Sequence, residues 1–131
     1  MNEDKALELI AQAKAEGWKI LDLSGMELEE LPAEIGELLR LETLILGGWS
    51  KGNRLEKLPS EIGQLSNLKV LHVVENQLSE LPPEIGRLSL LQVLVLQGNQ
   101  LSELPSEICQ LSLLRMLSLN SNQLTSAPPQ Y

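Results

Sequence analysis

Across 131 residues this chain has no phenylalanine, one tyrosine and two tryptophans. A core of irregular shape needs aromatic rings to fill uneven gaps, so their scarcity argues against one. There is a single cysteine, Cys109, which excludes an internal disulfide. Cation is scarce as well: 10 Lys and Arg stand against 18 Asp and Glu, for a net charge of −8. Phosphate backbones and anionic lipid surfaces are held by Lys and Arg, so nucleic acid and membrane surfaces are not the expected partners. No apolar run reaches 18 residues, the length that would mark a spanning helix. The opening "MNEDKALELI" carries charges of both signs and lacks the apolar stretch of a secretory signal, so a cytoplasmic setting is expected.

What the chain has instead is leucine, at fixed intervals. "LHVVENQLSELPPEIGRLSLL", from Leu71, returns 23 residues later as "LVLQGNQLSELPSEICQLSLL", from Leu94. Leu-Pro pairs mark the copies at Leu31-Pro32, Leu58-Pro59, Leu81-Pro82 and Leu104-Pro105, with Ala127-Pro128 as a weaker fifth. The unit is L-x-L-x-x-N-x-L-x-x-L-P-x-x-I-x-x-L-x-x-L. A core made of one residue type fits this periodicity, because the same gap recurs in every copy.

Each half of the unit has a physical reading. The L-x-L segments Leu21/Leu23, Leu44/Leu46, Leu71/Val73, Leu94/Leu96 and Leu117/Leu119 alternate as short strands do. The asparagine that follows (Asn53, Asn76, Asn99, Asn122) brings amide donors and an acceptor to the point where the chain leaves the strand. There it can bond the backbones of neighbouring turns, with Met26 in its place in the first copy. Proline then opens a short helical or 3₁₀ arm, with Glu34, Glu61, Glu84 or Glu107 near its start.

This pattern resembles the leucine-rich repeat family, in the 23-residue LPxEIGxL form found in bacterial and intracellular proteins such as Ras-binding repeat proteins and Roco GTPases. The resemblance covers about 18–128. It implies an α/β fold: a right-handed, curved leucine-rich repeat solenoid with a parallel β-sheet on its concave face. Short helical or 3₁₀ arms would lie on the convex side, and five strands are expected. Residues 1–17 read as a capping helix, with Asn2 as N-cap, Gly17 as stop and Leu7, Ile10, Ala11 and Lys14 on one face. Residues 18–131 read as five repeats, the last truncated. A four-residue insertion falls in repeat two, near 47–54 ("GGWSKGNR"). Cys109 takes the place of Gly36, Gly63 and Gly86, so that position should not demand a positive φ, and Cys109 itself reads as a partly buried small residue.

Function should then lie where the template leaves freedom. Between the leucines, alternate strand residues point into the hollow, and an apolar group is expected to surround His72: Ile45, Val70, Val74, Val93 and Val95, with Met116 in the last strand. Trp49 and Arg54, in and beside the insertion, are residue types that anchor interfaces. These nine are the candidate partner-binding residues. His72 is the only histidine and belongs to a strand, whereas Cys109 belongs to an arm, so no Cys-His pair and no zinc set is expected. Neither G-x-x-x-x-G-K-[ST] nor G-x-G-x-x-G occurs. The reading is a non-catalytic protein-protein interaction module without cofactor. Two alternatives stand beside it: the N-terminal repeat portion of a Roco-type signalling GTPase, and a structural repeat protein that self-associates, as a homodimer, through an uncapped C-terminal edge.

Overall fold

The computed structural model describes residues 2–48 and 51–124. Helix α1 (Asn2–Glu16) leads into five three-residue strands: β1 (Ile20–Asp22), β2 (Thr43–Ile45), β3 (Val70–His72), β4 (Val93–Val95) and β5 (Met116–Ser118). Between successive strands the chain returns through five-residue 3₁₀ arms, Ala33–Glu37, Ser60–Gln64, Pro83–Arg87 and Ser106–Gln110. The strands lie side by side in chain order, every neighbour parallel, and the template leucines Leu21, Leu44, Leu71, Leu94 and Leu117 fall in exact register. The molecule is thus the expected solenoid of one strand and one arm per turn.

Each arm is short for a local reason. Pro32, Pro59, Pro82 and Pro105 hold extended backbone just before it, and a leucine closes it by donating its N–H to the isoleucine carbonyl three residues back. The isoleucine and that leucine face inward. Ile35, Ile62, Ile85, Leu65, Leu88 and the strand leucines Leu44, Leu71 and Leu94 are wholly removed from water. Burying one such side chain contributes roughly 1.5–3 kcal/mol before chain entropy is set against it.

The asparagines hold the turns together as expected. Asn53 accepts from the N–H groups of Met26 and Leu28 and donates to the carbonyls of Leu23 and Leu46. Asn76 and Asn99 repeat the scheme, accepting from Leu55 and Leu78 and donating to strand-end carbonyls. Asn122 does the same at the last coil, where it is only part-buried. In every case the bonded partners include the preceding coil, so one amide side chain ties two turns. The first coil, with Met26 in that slot, has no such amide.

Helix α1 ends as the sequence implies: Gly17 takes a left-handed φ of +66°, and the Trp18 N–H reaches back to the Ala13 carbonyl at 3.0 Å. Asn2 is the helix's first residue rather than a flanking cap. The buried face also differs from the expected one. Ala6, Ile10 and Ala13 enter the leucine core, while Leu7, Ala11 and Lys14 stay exposed. With alanine at two of the three buried positions, little side-chain bulk stands between the helix and the first coil. Lys14 pairs with Glu37 of the first arm at 3.0 Å, but both side chains are more than half exposed, so this contact adds little.

Cys109 is exposed rather than partly buried. The equivalent glycines show why. A Cβ built at Gly36, Gly63 or Gly86 would lie 2.8, 2.8 and 2.7 Å from the backbone carbonyl oxygen of Glu61, Glu84 and Glu107 in the next arm. None of the three has a positive φ. Glycine there serves close approach between arms, and Cys109 sits in the outermost described arm, where no described arm follows. Gly86→Cys is therefore expected to destabilise by about 1–3 kcal/mol, as overpacking does. The reverse change, Cys109→Gly, should stay within about 0.5 kcal/mol of the parent, as surface changes do. Urea unfolding of the two variants checks this.

Candidate functional site

The site is the face of the sheet turned away from the leucine core. Alternation places three columns on it, running across the strands from their start to just past their end. The structure grades these columns sharply by exposure. The first is Ile20, Thr43, Val70, Val93 and Met116. Ile20 is 63% exposed and Met116 49%, and the three between them are half-buried. The second is Asp22, Ile45, His72, Val95 and Ser118; Ile45, His72 and Ser118 are half-buried, but Val95 is 1% exposed. The third, Ser24, Gly47, Val74, Gln97 and Asn120, holds Val74 at 1%.

Two of the expected surface residues, Val74 and Val95, are therefore corrected: neither offers area to a partner. Both lie outside the leucine cluster. Strands in a sheet are about 4.8 Å apart. On an inward-curving face that spacing presses side chains of adjacent strands together, so inner positions are shielded while Ile20 and Met116, in the outer strands, stay open. Val70, His72, Val93, Ile45 and Met116 remain accessible and adjacent, as the register Thr43–Val70–Val93–Met116 and Ile45–His72–Val95 requires.

The insertion leaves β2 between two glycines that only glycine can occupy. A Cβ on Gly47 would come within 1.9 Å of the Val74 carbonyl oxygen, and one on Gly52 within 1.6 Å of that of Glu75. Gly48 N–H bonds the Lys51 carbonyl, closing the base of the loop. Trp49 lies outside the described residues. Arg54 does not ride on the loop; it follows Asn53, is exposed, and its N–H is fixed to the Leu28 carbonyl at 2.7 Å.

Just past this loop, Glu75 holds a φ of +56° in a slot where Gly25 and Gly98 take +70° and +77°. A non-glycine residue pays roughly 1–2 kcal/mol for that conformation. Glu75→Gly should raise stability by up to about 1 kcal/mol, since glycine's own entropy loss offsets part of the gain. A shift in the urea midpoint reads it.

Sequence reasoning missed one column altogether. The residues immediately before the five strands are Lys19, Glu42, Lys69, Gln92 and Arg115, and their backbones form one continuous ladder with N···O distances of 2.8 Å. Lys19, Lys69 and Arg115 are exposed. Lys69 reaches Glu42 at 3.7 Å, and among the described residues neither Lys19 nor Arg115 has an ion-pair partner. The signal was present: these residues occupy one template position in all five copies.

His72 and Cys109 lie in opposite layers, one in the sheet and the other in the last arm. Among the described residues no group of three His, Cys, Asp or Glu side chains is placed to hold a metal ion, and no helix is long and apolar enough to cross a membrane.

A sequence profile described as leucine rich repeat matches residues 66–124. A comparison with curated proteins finds no match. Among solved structures, a leucine-rich repeat protein of Leptospira interrogans is 34% identical with a TM-score of 0.59, over 89% of this chain and 41% of that one. The plant peptide hormone receptor RGFR1, solved in complex with RGF2, is 42% identical with a TM-score of 0.66, over 76% of this chain and 16% of the receptor. An internalin of Listeria monocytogenes is 30% identical with a TM-score of 0.62, over 72% and 26%. This chain thus spans less than half the length of each.

Proposed function

Starting from a chain whose residues 66–124 belong to the leucine-rich repeat family and whose coils form that family's solenoid, we propose that it is a non-catalytic module that holds a protein partner against the open face of its sheet. One observation carries this reading. Ile45, Val70, His72, Val93 and Met116 form a contiguous, mostly apolar, solvent-reached surface outside the leucine core, and such a surface on a soluble protein marks a contact site. The family's domains commonly bind proteins, and the plant receptor was solved with RGF2, which supports the same use here. Arg54, exposed just after the insertion, would flank the partner at the strand-exit rim. A cytoplasmic setting, and an origin as the N-terminal repeats of a Roco-type GTPase, remain part of the proposal; a reading frame continuing beyond Tyr131 into a GTP-binding domain would support the latter.

Val70→Glu with Val93→Glu should remove partner binding at a stability cost of about 1–2 kcal/mol, because both are half-buried strand positions and the two carboxylates would face each other across one register pair. Val95→Glu, at a buried site, should destabilise more. Thermal unfolding alongside pull-down separates the two. Full binding by the Val70/Val93 double variant would remove the reading.

The last coil favours a second mode of association. Leu114, Leu117, Leu119 and Leu124 are only partly buried, whereas their counterparts Leu91, Leu94, Leu96 and Leu101 are fully so. Strand β5 also has no described strand on its outer side. Self-association through this edge would appear in sedimentation as a concentration-dependent dimer. A strict monomer across the range would dismiss it.

A further inference from the structure

The open face is not electrically neutral along its length. Its accessible apolar area is concentrated in the first column, at the strand starts, where Ile20 and Met116 are the most exposed members. Towards the strand exits Val74 and Val95 are buried, and the apolar area that remains there is the half-buried Ile45. Directly beside that open column runs the ladder Lys19–Glu42–Lys69–Gln92–Arg115, three cations against one anion. In a chain of net charge −8 this is a local reversal of sign, set beside apolar surface that solvent reaches. The cations lie two strands apart, at intervals of roughly 10 Å given strand spacing. Glu42 offsets only Lys69, and at 3.7 Å between side chains 46% and 36% exposed that offset is weak.

From this we infer, resting on the concave-face reading above, that the partner is an acidic, leucine-type apolar segment of another protein: its apolar side chains cover Ile20, Val70, Val93 and Met116, and its carboxylates meet Lys19, Lys69 and Arg115. Rim charges of this kind set which partner is admitted and how fast it arrives, more than how tightly the apolar part is held. They also reject basic segments by like-charge repulsion. A second copy of this chain is a weaker occupant, since two bodies of the same strong negative charge repel on approach.

The test is a peptide-display selection on the intact chain, with the selected peptides synthesised as fluorescent probes and titrated against three proteins. These are the parent, Lys19→Glu/Lys69→Glu/Arg115→Glu, and Val70→Glu/Val93→Glu, each checked for native circular dichroism. Expected are peptides that combine Asp or Glu with Leu, Ile or Val. The charge-reversed protein should bind them about 10- to 100-fold more weakly, as about three rim pairs allow, and added salt should mimic that loss in the parent. Peptides that need Val70 and Val93 but are basic or uncharged, and indifferent to the triple reversal, would overturn the acidic partner while leaving the binding face intact. Peptides indifferent to both variants, or a selection with no binder above background, would overturn both. A dimer of the parent in sedimentation that the triple reversal dissolves would make the occupant a second copy and overturn the commitment to another chain.

Discussion

Asn99→Ala is expected to cost about 4 kcal/mol. The Asn99 side chain, in a residue 5% exposed, accepts from the Leu78 N–H at 3.0 Å and donates to the Val73 and Leu96 carbonyls at 2.7 and 3.0 Å. Leu96 retains a second donor in Asn122, so its carbonyl is not stranded. The Leu78 N–H and the Val73 carbonyl are. Leaving a buried backbone group unpaired costs about 1–3 kcal/mol each, and two of them set the figure. Asn99→Asp should be about as damaging, because a carboxylate can accept from Leu78 but cannot donate to either carbonyl. Asn122→Ala should cost only about 1 kcal/mol, since that side chain is part-buried and water can take its place. Urea denaturation of the three variants gives the comparison; equal losses at Asn99 and Asn122 would mean that the ladder does not act through burial.

Leu71→Ala should cost about 3–5 kcal/mol, the range for deleting a wholly buried leucine in a site that cannot collapse. Leu71 is completely removed from water and stands in register between Leu44 and Leu94, each equally buried. Those two are pinned by their own coils, whose arms pack at glycine contacts with no room to shift inward. The cavity therefore stays open. At the end of the stack, Leu117→Ala should cost about half as much, because Leu117 is already partly solvated. Such a gradient along chemically identical positions is what nearest-neighbour stacking predicts.

The repeats made the architecture legible, because the constraint is periodic. Leucines at fixed offsets must all find the same environment, so one coil implies the rest, and asparagine at the strand exit implies a backbone that needs its amide. Non-periodic features were harder to read. The face of α1 was misplaced because alanine spacing, not hydrophobicity, decides how closely a helix approaches. Cys109 reads as a partly buried small residue because its template position is buried at Gly36 and Gly86 and half-buried at Gly63, and its place at the outermost described arm exposes it. Val74 and Val95 were assigned to the open surface by alternation alone. Alternation says which way a side chain points, whereas curvature decides whether solvent reaches it. The basic column at Lys19, Lys69 and Arg115 is hard to see in the sequence because the template leaves its position free and Glu42 and Gln92 interrupt it.

Native-state hydrogen exchange at the backbone amides of Leu55, Leu78 and Leu101 tests most directly whether asparagine-tied coils hold this molecule together. These three N–H groups are bonded to Asn76, Asn99 and Asn122. Leu55 and Leu78 should exchange only by global unfolding, with protection matching the stability from denaturation, and Leu101 should exchange faster beside the part-buried Asn122. Exchange of Leu55 and Leu78 at the rate of exposed turns would contradict the stack of tied coils, and with it the face that those coils present.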